Sequence, residues 1–198
     1  MSQTNSKTRQ LVEGAMLVAL ATVLSYIRIF KLPWGGSVTL LSMLPIFIYS
    51  IRWGVKPGLL VSFVYSLIQF GQGVIDGLFG WGLTPVSLVA CIFIDYLLAF
   101  TVLGLAGAFR NKKTTGNILG ITLATFLRFF FHFLSGVVIW HSYGELWDGF
   151  STDSSILYSL LYNGAYMLPE LITTLVGAII LLRVPQTKKL LLNSEAEV

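Results

Sequence analysis

Four ionisable side chains lie within apolar stretches of this sequence, where a charge is costly. They are Asp95, Arg128, His132 and Glu170. A charge at bilayer depth costs at least about 2.5–3.5 kcal/mol, so each of these side chains needs a partner or a function. Arg128 and His132 are four positions apart and share one helix face, which Gly136 continues. This spacing predicts a helix face that carries a cation beside an imidazole.

A second group of polar and aromatic residues is expected near the outer end of the same helices. Its members are Trp34, Trp140, Tyr158 and Asn163. Together with Asp95 and His132 they supply one carboxylate, one imidazole, one amide and several aromatic faces. A carboxylate with electron-rich rings favours a flat, cationic ligand, and the amide and imidazole can add directional hydrogen bonds to a heterocycle. The sequence contains no recognisable nucleophile with its base and no phosphate-binding loop, so binding is favoured over catalysis.

Each of these residues also has a purely structural interpretation. Arg128 can neutralise Asp95 or Glu170 in an ion pair that fixes helix register, and His132 can be a hydrogen-bonded histidine of the core. The aromatic residues can be anchors at the membrane surface, where Trp and Tyr are common. These are Trp34, Trp81, Trp140, Tyr143 and Trp147. The sequence leaves both interpretations open.

The composition indicates what must position these side chains. The chain has 198 residues, of which 55% are hydrophobic and 11% are charged, and its mean hydropathy is +0.79. A soluble domain carries roughly a quarter charged residues, so the sequence predicts a multi-pass protein of the cell membrane. The single cysteine, Cys91, gives no disulfide framework and no cysteine-based metal site. No metal, cofactor or nucleic-acid partner is expected.

Basic residues fall in four clusters, at 7–9, 52–56, 110–113 and 183–189. Short loops rich in Lys and Arg stay in the cytoplasm, so each intervening stretch crosses the bilayer an even number of times. Each stretch has room for one helical hairpin, at about 20 residues per crossing. The sequence therefore predicts an all-α bundle of six transmembrane helices with both termini cytoplasmic. The predicted outer segments hold one basic residue, Lys31, against four acidic ones, which would attract a cation.

The predicted helices form a single domain of residues 1–198. They span about 10–30, 38–51, 57–70, 85–109, 116–141 and 157–182. Pro45 interrupts the short second helix, so either its flanks extend it or part of the segment is re-entrant. Glu13 and Arg28 lie near the ends of the first helix and can snorkel to the headgroups. The outer segments 71–82 and 141–157 are candidate lids.

The sequence resembles the thiamine-specific substrate-binding subunits, or S-components, of energy-coupling-factor vitamin transporters. The resemblance runs nearly end to end and rests on four motifs. They are LPWGGSVTLLSMLPI (32–46), IDYLLAF (94–100) with LGLAGAFRNK after it, RFFFHFLSGVVIW (128–140) and YSLLYNG (158–164). Each motif is weak alone, but the four in this order, with six short helices, make a strong match.

The resemblance implies six membrane helices with one vitamin buried near the outer face under a loop. The substrate-binding residues that it implies are Trp34, Asp95, Tyr96, Arg128, His132, Gly136, Trp140, Tyr158 and Asn163. In this scheme Asp95 is the carboxylate that engages thiamine. The chemistry of thiamine agrees, because a carboxylate can face its thiazolium charge and the Asn163 amide can read its pyrimidine edge.

Ala15 and Ala19 lie four residues apart in the first helix, a spacing of small residues that lets helices approach closely in lipid. Packing inside the bundle and docking on a partner both fit this pattern. The resemblance favours docking on the transmembrane coupling subunit of the transporter. Because the chain has no Walker motif, two ATPase subunits are expected to supply the energy of transport.

The sequence thus predicts a thiamine-binding subunit of an ATP-driven importer, and not an enzyme. One alternative is the same role for another vitamin, such as riboflavin, or for a thiamine precursor. A second alternative is a small membrane enzyme that uses Asp95 and His132 as an acid–base pair. A third is a carrier that works without partner proteins.

Overall fold

The structure, a computed structural model, describes residues 3–187, and of residues 3–5 and Trp34 it describes the backbone alone. Lys188 and Lys189, which belong to the last predicted basic cluster, lie outside the described residues. The helices are α1 (Gln3–Tyr26), α2 (Leu44–Trp53), α3 (Val55–Ile75), α4 (85–112), α5 (113–140) and α6 (Ser155–Arg183). The prediction of an all-α, six-helix membrane protein is confirmed.

Three helical stretches are apolar and long enough to cross a membrane, namely Val55–Ile75, Pro85–Trp140 and Ser155–Arg183. The middle stretch has 56 residues, which as one straight helix would be about 84 Å long, far more than a bilayer. It reverses where Phe109 leaves the helical conformation and Lys113 has a φ of 54°. The stretch is therefore two helices, α4 and α5, packed against each other as a hairpin.

Small residues allow α4 and α5 to approach closely. A Cβ atom at Gly120 would meet the backbone of Ala106, and one at Gly116 would meet the backbone of Phe109. As the chain advances along α5, the contacted residues move backward along α4, so the two helices are antiparallel. This arrangement brings the second half of α5, which carries Arg128 and His132, beside the first half of α4.

Two short hairpins close one end of the bundle. In the first hairpin, β1 (Arg28–Lys31) pairs antiparallel with β2 (Ser37–Thr39) around a 3₁₀ turn at Pro33–Gly35. In the second, β3 (Gly144–Trp147) pairs with β4 (Phe150–Thr152). We call this end of the bundle the hairpin end, and the opposite end, where α1 begins and α6 finishes, the terminal end.

The first hairpin changes the predicted ends of two helices. The helix predicted over 10–30 finishes at Tyr26, because the residues after it form β1. The helix predicted over 38–51 begins only at Leu44. Pro45 then occupies the first turn of α2, where its missing N–H costs no helical hydrogen bond. The first hairpin and the ten-residue α2 together replace a full-length second helix.

Glu13 and Arg28, which lie near the ends of the first predicted helix, both have protein partners in the structure. Glu13 lies at the terminal end, where its carboxylate is 2.8 Å from the Arg52 Nε and accepts a hydrogen bond of 2.9 Å from the Trp53 Nε1. Arg28 lies at the hairpin end and forms an ion pair of 2.7 Å with Asp76. Both charges are held by protein partners, which removes their need to reach the headgroups.

Candidate binding site

A cavity of about 470 Å³ lies at the hairpin end, within the range usual for small-molecule sites. All six helices or the loops that join them contribute to its wall. The predicted site residues that line it are Asp95, Tyr96, Arg128, His132, Gly136, Trp140, Tyr158 and Asn163. Trp34 lies in the turn of the first hairpin, and its side chain is outside the described residues. Its neighbours Gly35 and Gly36 line the cavity.

Asp95 is the centre of a hydrogen-bonded cluster in the cavity wall. One of its carboxylate oxygens is 2.9 Å from the His132 Nδ1. The other accepts from the Ser135 hydroxyl, from the Trp140 Nε1 at 3.3 Å and from the Cys91 thiol at 3.3 Å. Three of these donors are neutral groups, so they orient the carboxylate without cancelling its charge.

Two π-helical segments make the Asp95 cluster possible. In α4 the regular helix of Pro85–Cys91 gives way to a π-helix over Ile92–Leu98, and in α5 that of Lys113–Ser135 gives way to one over Gly136–Trp140. A π-helical turn is wider than an α-helical one and turns side chains into new directions. Asp95 and Trp140, which lie in the two widened segments, meet across the α4–α5 interface.

His132 lines the cavity and uses one of its two ring nitrogens in a hydrogen bond with the protein. Because the carboxylate of Asp95 can only accept, the His132 Nδ1 is the donor in their hydrogen bond. The Nε2 atom is buried and has no hydrogen-bond partner among residues 3–187. The edges of Phe100 and Tyr166 flank the imidazole at centroid distances of 6.1 and 6.3 Å. The ring is thus fixed in place with one nitrogen left for a ligand.

Asn163 is fully engaged by the protein. Its amide nitrogen donates to the Ser159 carbonyl at 2.9 Å and to the Ser159 hydroxyl at 3.1 Å. Its amide oxygen accepts from the Tyr166 hydroxyl at 2.8 Å. A longer contact of 3.4 Å reaches the His132 carbonyl. In this conformation the Asn163 amide bonds mainly within α6, and its predicted contact with a pyrimidine stays a prediction.

Arg128 does not form the ion pair that the structural interpretation requires. Among the described residues, no carboxylate oxygen lies within 4.0 Å of its guanidinium. The group instead stacks over the Phe100 ring at 4.3 Å and contacts the Met43 sulfur at 3.0 Å. Its buried Nε has no hydrogen-bond partner within residues 3–187. Arg128 therefore brings a positive charge and a free donor to the cavity.

Aromatic rings form much of the remaining wall. Tyr158 and Tyr162 stack with their planes 14° apart, and Trp81 and Trp140 lie 5.8 Å apart. Trp81, Trp140 and Tyr143, which the structural interpretation assigned to membrane anchoring, all line the cavity. Trp147 does not, and packs against Phe150 within the second hairpin.

The first hairpin is fastened over the cavity at three places. The buried carboxylate of Glu170 accepts from the Thr39 amide at 2.7 Å and from the Thr39 hydroxyl at 2.6 Å. The Tyr162 hydroxyl accepts from the Gly36 amide at 3.1 Å and donates to the Pro33 carbonyl. Asp76 supplies the third contact.

Asp76, just after the end of α3, pairs with Arg28 at 2.7 Å and with Lys31 at 3.3 Å. Partial burial acts to raise the pKa of Asp76, but the hydrogen bond and charge of Arg28, together with the charge of Lys31, lower it below its ordinary value. The carboxylate therefore remains ionised at neutral pH, which keeps the hairpin attached to α3. This contact lies in the middle of the predicted lid at 71–82, and the residues of that segment before Asp76 belong to α3.

The sequence reasoning missed several residues of the wall. The sequence indicates that Glu170 is a costly charge, but it does not indicate the partner of Glu170 in β2, because it predicts no strand there. Other missed wall residues include Ser25, Gln69, Gln72, Cys91, Phe100, Tyr162 and Tyr166. On α3, polar residues recur at helical spacing from Ser62 through Tyr65, Ser66 and Gln69. That polar stripe is the signal that would have placed α3 in the site.

Ala15 and Ala19 do not belong to the cavity. Both are exposed on α1, and Gly14 is the residue of that turn that packs inward, against Val61 and Tyr49. Their neighbour Met16 is 67% exposed. The small-residue spacing therefore faces away from the bundle and is free to meet lipid or another helix.

Comparison with known proteins agrees with the site. Residues 11–190 match the sequence profile of the family described as thiamine transporter protein, Thia_YuaJ. Thiamine transporter ThiT of Bacillus subtilis is 31% identical over 213 residues, covering 98% of this chain and 99% of that protein. Thiamine transporter ThiT of Lacticaseibacillus paracasei is 28% identical, covering 88% and 87% of the two chains. A solved structure of ThiT from Listeria monocytogenes has the same fold, with a TM-score of 0.67 at 23% identity over 92% of this chain and 98% of that one.

A six-helix membrane bundle with an aromatic, acidic cavity near one surface is a membrane protein that binds a small molecule. The chain belongs to the thiamine transporter protein family. The predicted resemblance to thiamine-specific S-components is confirmed, and so are the assignments to the cell membrane and to a transport role that is not enzymatic.

Proposed function

We propose that this protein is the thiamine-binding subunit of an energy-coupling-factor importer. It captures thiamine with high affinity in the cavity at the hairpin end and delivers it through a shared ATP-driven module. The observation that carries the proposal is the Asp95 cluster. Its carboxylate is oriented by hydrogen bonds and its side chain is 14% exposed, and no Lys or Arg nitrogen within residues 3–187 lies within 4.0 Å of it. Thiamine carries one permanent positive charge, which is the partner that this carboxylate lacks.

The formal charges of the cavity support a ligand with a single positive charge. The cavity wall holds two arginines, Arg28 and Arg128, and three carboxylates, Asp76, Asp95 and Glu170. One negative charge is therefore left over. A dication would leave one charge uncompensated in a site of low polarity, and a neutral ligand would leave Asp95 uncompensated.

The aromatic wall suits the two flat rings of thiamine. A cation over the face of an electron-rich ring gains about 0.5–2 kcal/mol, most when desolvated. Trp81, Trp140, Tyr158 and Tyr162 offer such faces around the cavity. We propose that Trp34, Tyr96 and Gly136 complete the site, with Gly136 leaving room where a Cβ atom would meet the Ser159 hydroxyl.

We further propose that the hairpin end faces outside and that both termini are cytoplasmic, within one domain of residues 1–198. The basic clusters near residues 52 and 110 lie at the terminal end, where the Arg110 guanidinium bonds the Arg52 carbonyl at 3.1 Å. Retention of basic loops in the cytoplasm then places the cavity outside. A chain without a nucleotide-binding motif needs partners, which we propose to be a transmembrane coupling subunit and two ATPase subunits.

Titration of the purified protein with a vitamin panel tests the ligand. Trp81 and Trp140 lie in the cavity wall, so thiamine should quench tryptophan fluorescence at concentrations at least about a hundredfold below those of riboflavin. A preference for riboflavin or for an isolated thiamine precursor contradicts the proposal. Chemical conversion of the bound vitamin would establish the enzyme alternative instead.

Reconstituted uptake tests the partners. Ala15→Trp combined with Ala19→Trp should leave thiamine binding unchanged and abolish ATP-dependent uptake, because two indoles prevent close helix approach. Ile172→Trp on α6, whose side chain is 53% exposed, is the matched control and should transport normally. Uptake by the protein alone in liposomes would support the stand-alone carrier and contradict the proposed module.

A further inference from the structure

Gln69 is a polar residue of the cavity wall with no role so far. It lies on α3, on the polar stripe of that helix, and its amide nitrogen is buried. The helix holds Gln69 beside two close contacts between α3 and α4. Phe70 meets the edge of Tyr96 at 5.7 Å, and Gly73 leaves room for the Tyr96 hydroxyl. The backbone around Gln69 is therefore fixed against the helix that carries Asp95.

The amide of Gln69 forms no hydrogen bond to any of residues 3–187, at its nitrogen or at its oxygen. The result does not depend on which way the amide is turned, because both ends lack a partner. Gln72, one turn further along, shows the usual behaviour of a buried amide and donates to the Ser25 hydroxyl at 2.7 Å. Gln69 is thus left with a free donor and a free acceptor side by side.

A free amide in a buried wall calls for a matching partner. Leaving a buried polar group unpaired costs about 1–3 kcal/mol, and the neighbouring groups of the site do not supply the missing bonds. A primary amide fits the edge of a heterocycle that carries an amino group beside a ring nitrogen. Gln and Asn read adenine through such an edge, with two parallel hydrogen bonds. The 4-aminopyrimidine of thiamine presents the same edge.

We propose that Gln69 is the residue that reads the aminopyrimidine edge of the bound vitamin. The amide oxygen accepts from the amino group, and the amide nitrogen donates to the adjacent ring nitrogen. The sequence predicts that Asn163 reads this edge. In the structure, however, both ends of the Asn163 amide are hydrogen-bonded to Ser159 and Tyr166. This inference rests on the proposed function and adds a specificity-determining residue to it.

Binding of two thiamine analogues to purified protein tests the inference. In the first analogue a methyl group replaces the amino group, which keeps the size of the edge and removes its donor. In the second a pyridinium replaces the thiazolium, which leaves the edge intact. The unaltered protein should bind the methyl analogue about ten- to hundredfold more weakly than thiamine. Gln69→Leu should weaken thiamine and the pyridinium analogue by a similar factor while hardly changing the methyl analogue, so the discrimination disappears.

Thermal stability without ligand separates recognition from a structural role. Because the Gln69 amide has no protein partner, Gln69→Leu should keep or raise the melting temperature of the ligand-free protein. Asn117→Leu is the matched control, since Asn117 is also buried with an unpaired amide oxygen but lies outside the cavity. It should leave the discrimination between thiamine and the methyl analogue unchanged. Gln69→Met, which keeps the length of the side chain, repeats the test if the leucine variant does not fold.

The outcomes are distinguishable. If Gln69→Leu and Gln69→Met bind thiamine as tightly as the unaltered protein and still reject the methyl analogue, the inference is wrong. If the unaltered protein does not bind thiamine, the proposed function itself fails. A loss of affinity that is equal for thiamine and the methyl analogue also overturns the inference, because it shows that the amide does not read the amino group.

Discussion

Two carboxylates in apolar helices, Glu13 at the terminal end and Asp95 at the hairpin end, have opposite surroundings. Glu13 is met by the guanidinium groups of Arg9 at 3.0 Å and Arg52 at 2.8 Å. Asp95 is met by a thiol, a hydroxyl, an indole and an imidazole. Both oxygens of each carboxylate accept hydrogen bonds, but only the Glu13 carboxylate is paired with permanent cations.

The difference separates a structural charge from one available to a ligand. A buried charge paired with a permanent cation has no net charge to offer and serves to hold helices together. A buried charge held by neutral donors keeps its field, which attracts a cation that fits the cavity beside it. The number of hydrogen bonds does not distinguish these cases, whereas the charge of the donors does.

Exchanging the two charges for amides gives the largest predicted contrast. Asp95→Asn should weaken thiamine binding by at least about a hundredfold, because two unit charges 4 Å apart interact by about 4 kcal/mol near a protein surface. Glu13→Gln should lower the melting temperature and change the thiamine dissociation constant by less than about threefold. Calorimetric titration and thermal unfolding measure the two effects. Equal losses of affinity in both variants would erase the distinction between the two carboxylates.

His132→Ala should weaken thiamine binding by about tenfold or more, because it removes the donor that orients Asp95 and a ring nitrogen that is free for the ligand. The imidazole should act partly through Asp95, because it orients the carboxylate. A double-mutant cycle with Asp95→Asn should therefore show a combined loss smaller than the product of the single losses. Independent losses that multiply would mean that His132 contributes without Asp95.

The smallest effect is predicted at Asp76. This residue pairs with cations, as Glu13 does, but lies at the rim of the cavity. Asp76→Asn should speed thiamine dissociation by about two- to fivefold, as expected for partly exposed ion pairs. Displacement of bound thiamine in a stopped-flow fluorimeter measures the rate. Arg28→Gln should not accelerate dissociation further once Asp76 is replaced, and full additivity would contradict a shared fastening of the hairpin.

The pH dependence of this rate follows from the lowered pKa of Asp76. A carboxyl with a lowered pKa contributes fully above its ordinary value of 3.8 and loses its contribution as the pH falls through the lowered value. Asp76 should therefore cause no change in the dissociation rate between about pH 5 and pH 8. A titration within that window that disappears in Asp76→Asn would show that the carboxyl is not held by its cations.

The sequence predicted those parts of the site that depend on helical spacing. Arg128, His132 and Gly136 share a face of α5, as their intervals of four required, and charge counting gave six helices. The first hairpin was missed because four and three residues of strand leave too short a pattern beside an apolar helix. Contacts across long sequence separations, such as Thr39 with Glu170 at an interval of 131 residues, leave no local pattern. The free amide of Gln69 is visible only when its surroundings are known.

The geometry of the site also depends on how many residues the two π-helical segments contain. Each contains, in effect, one residue more than an α-helix of the same height, and the two segments lie where Asp95 and Trp140 meet. Deleting one residue from either would restore ordinary helical geometry there and turn the side chains of that segment into new directions. Asp95 would then leave its donors although no residue of the cluster had been changed. Sequence comparisons of this family should therefore treat a gap within 92–98 or 136–140 as equivalent to the loss of a binding residue.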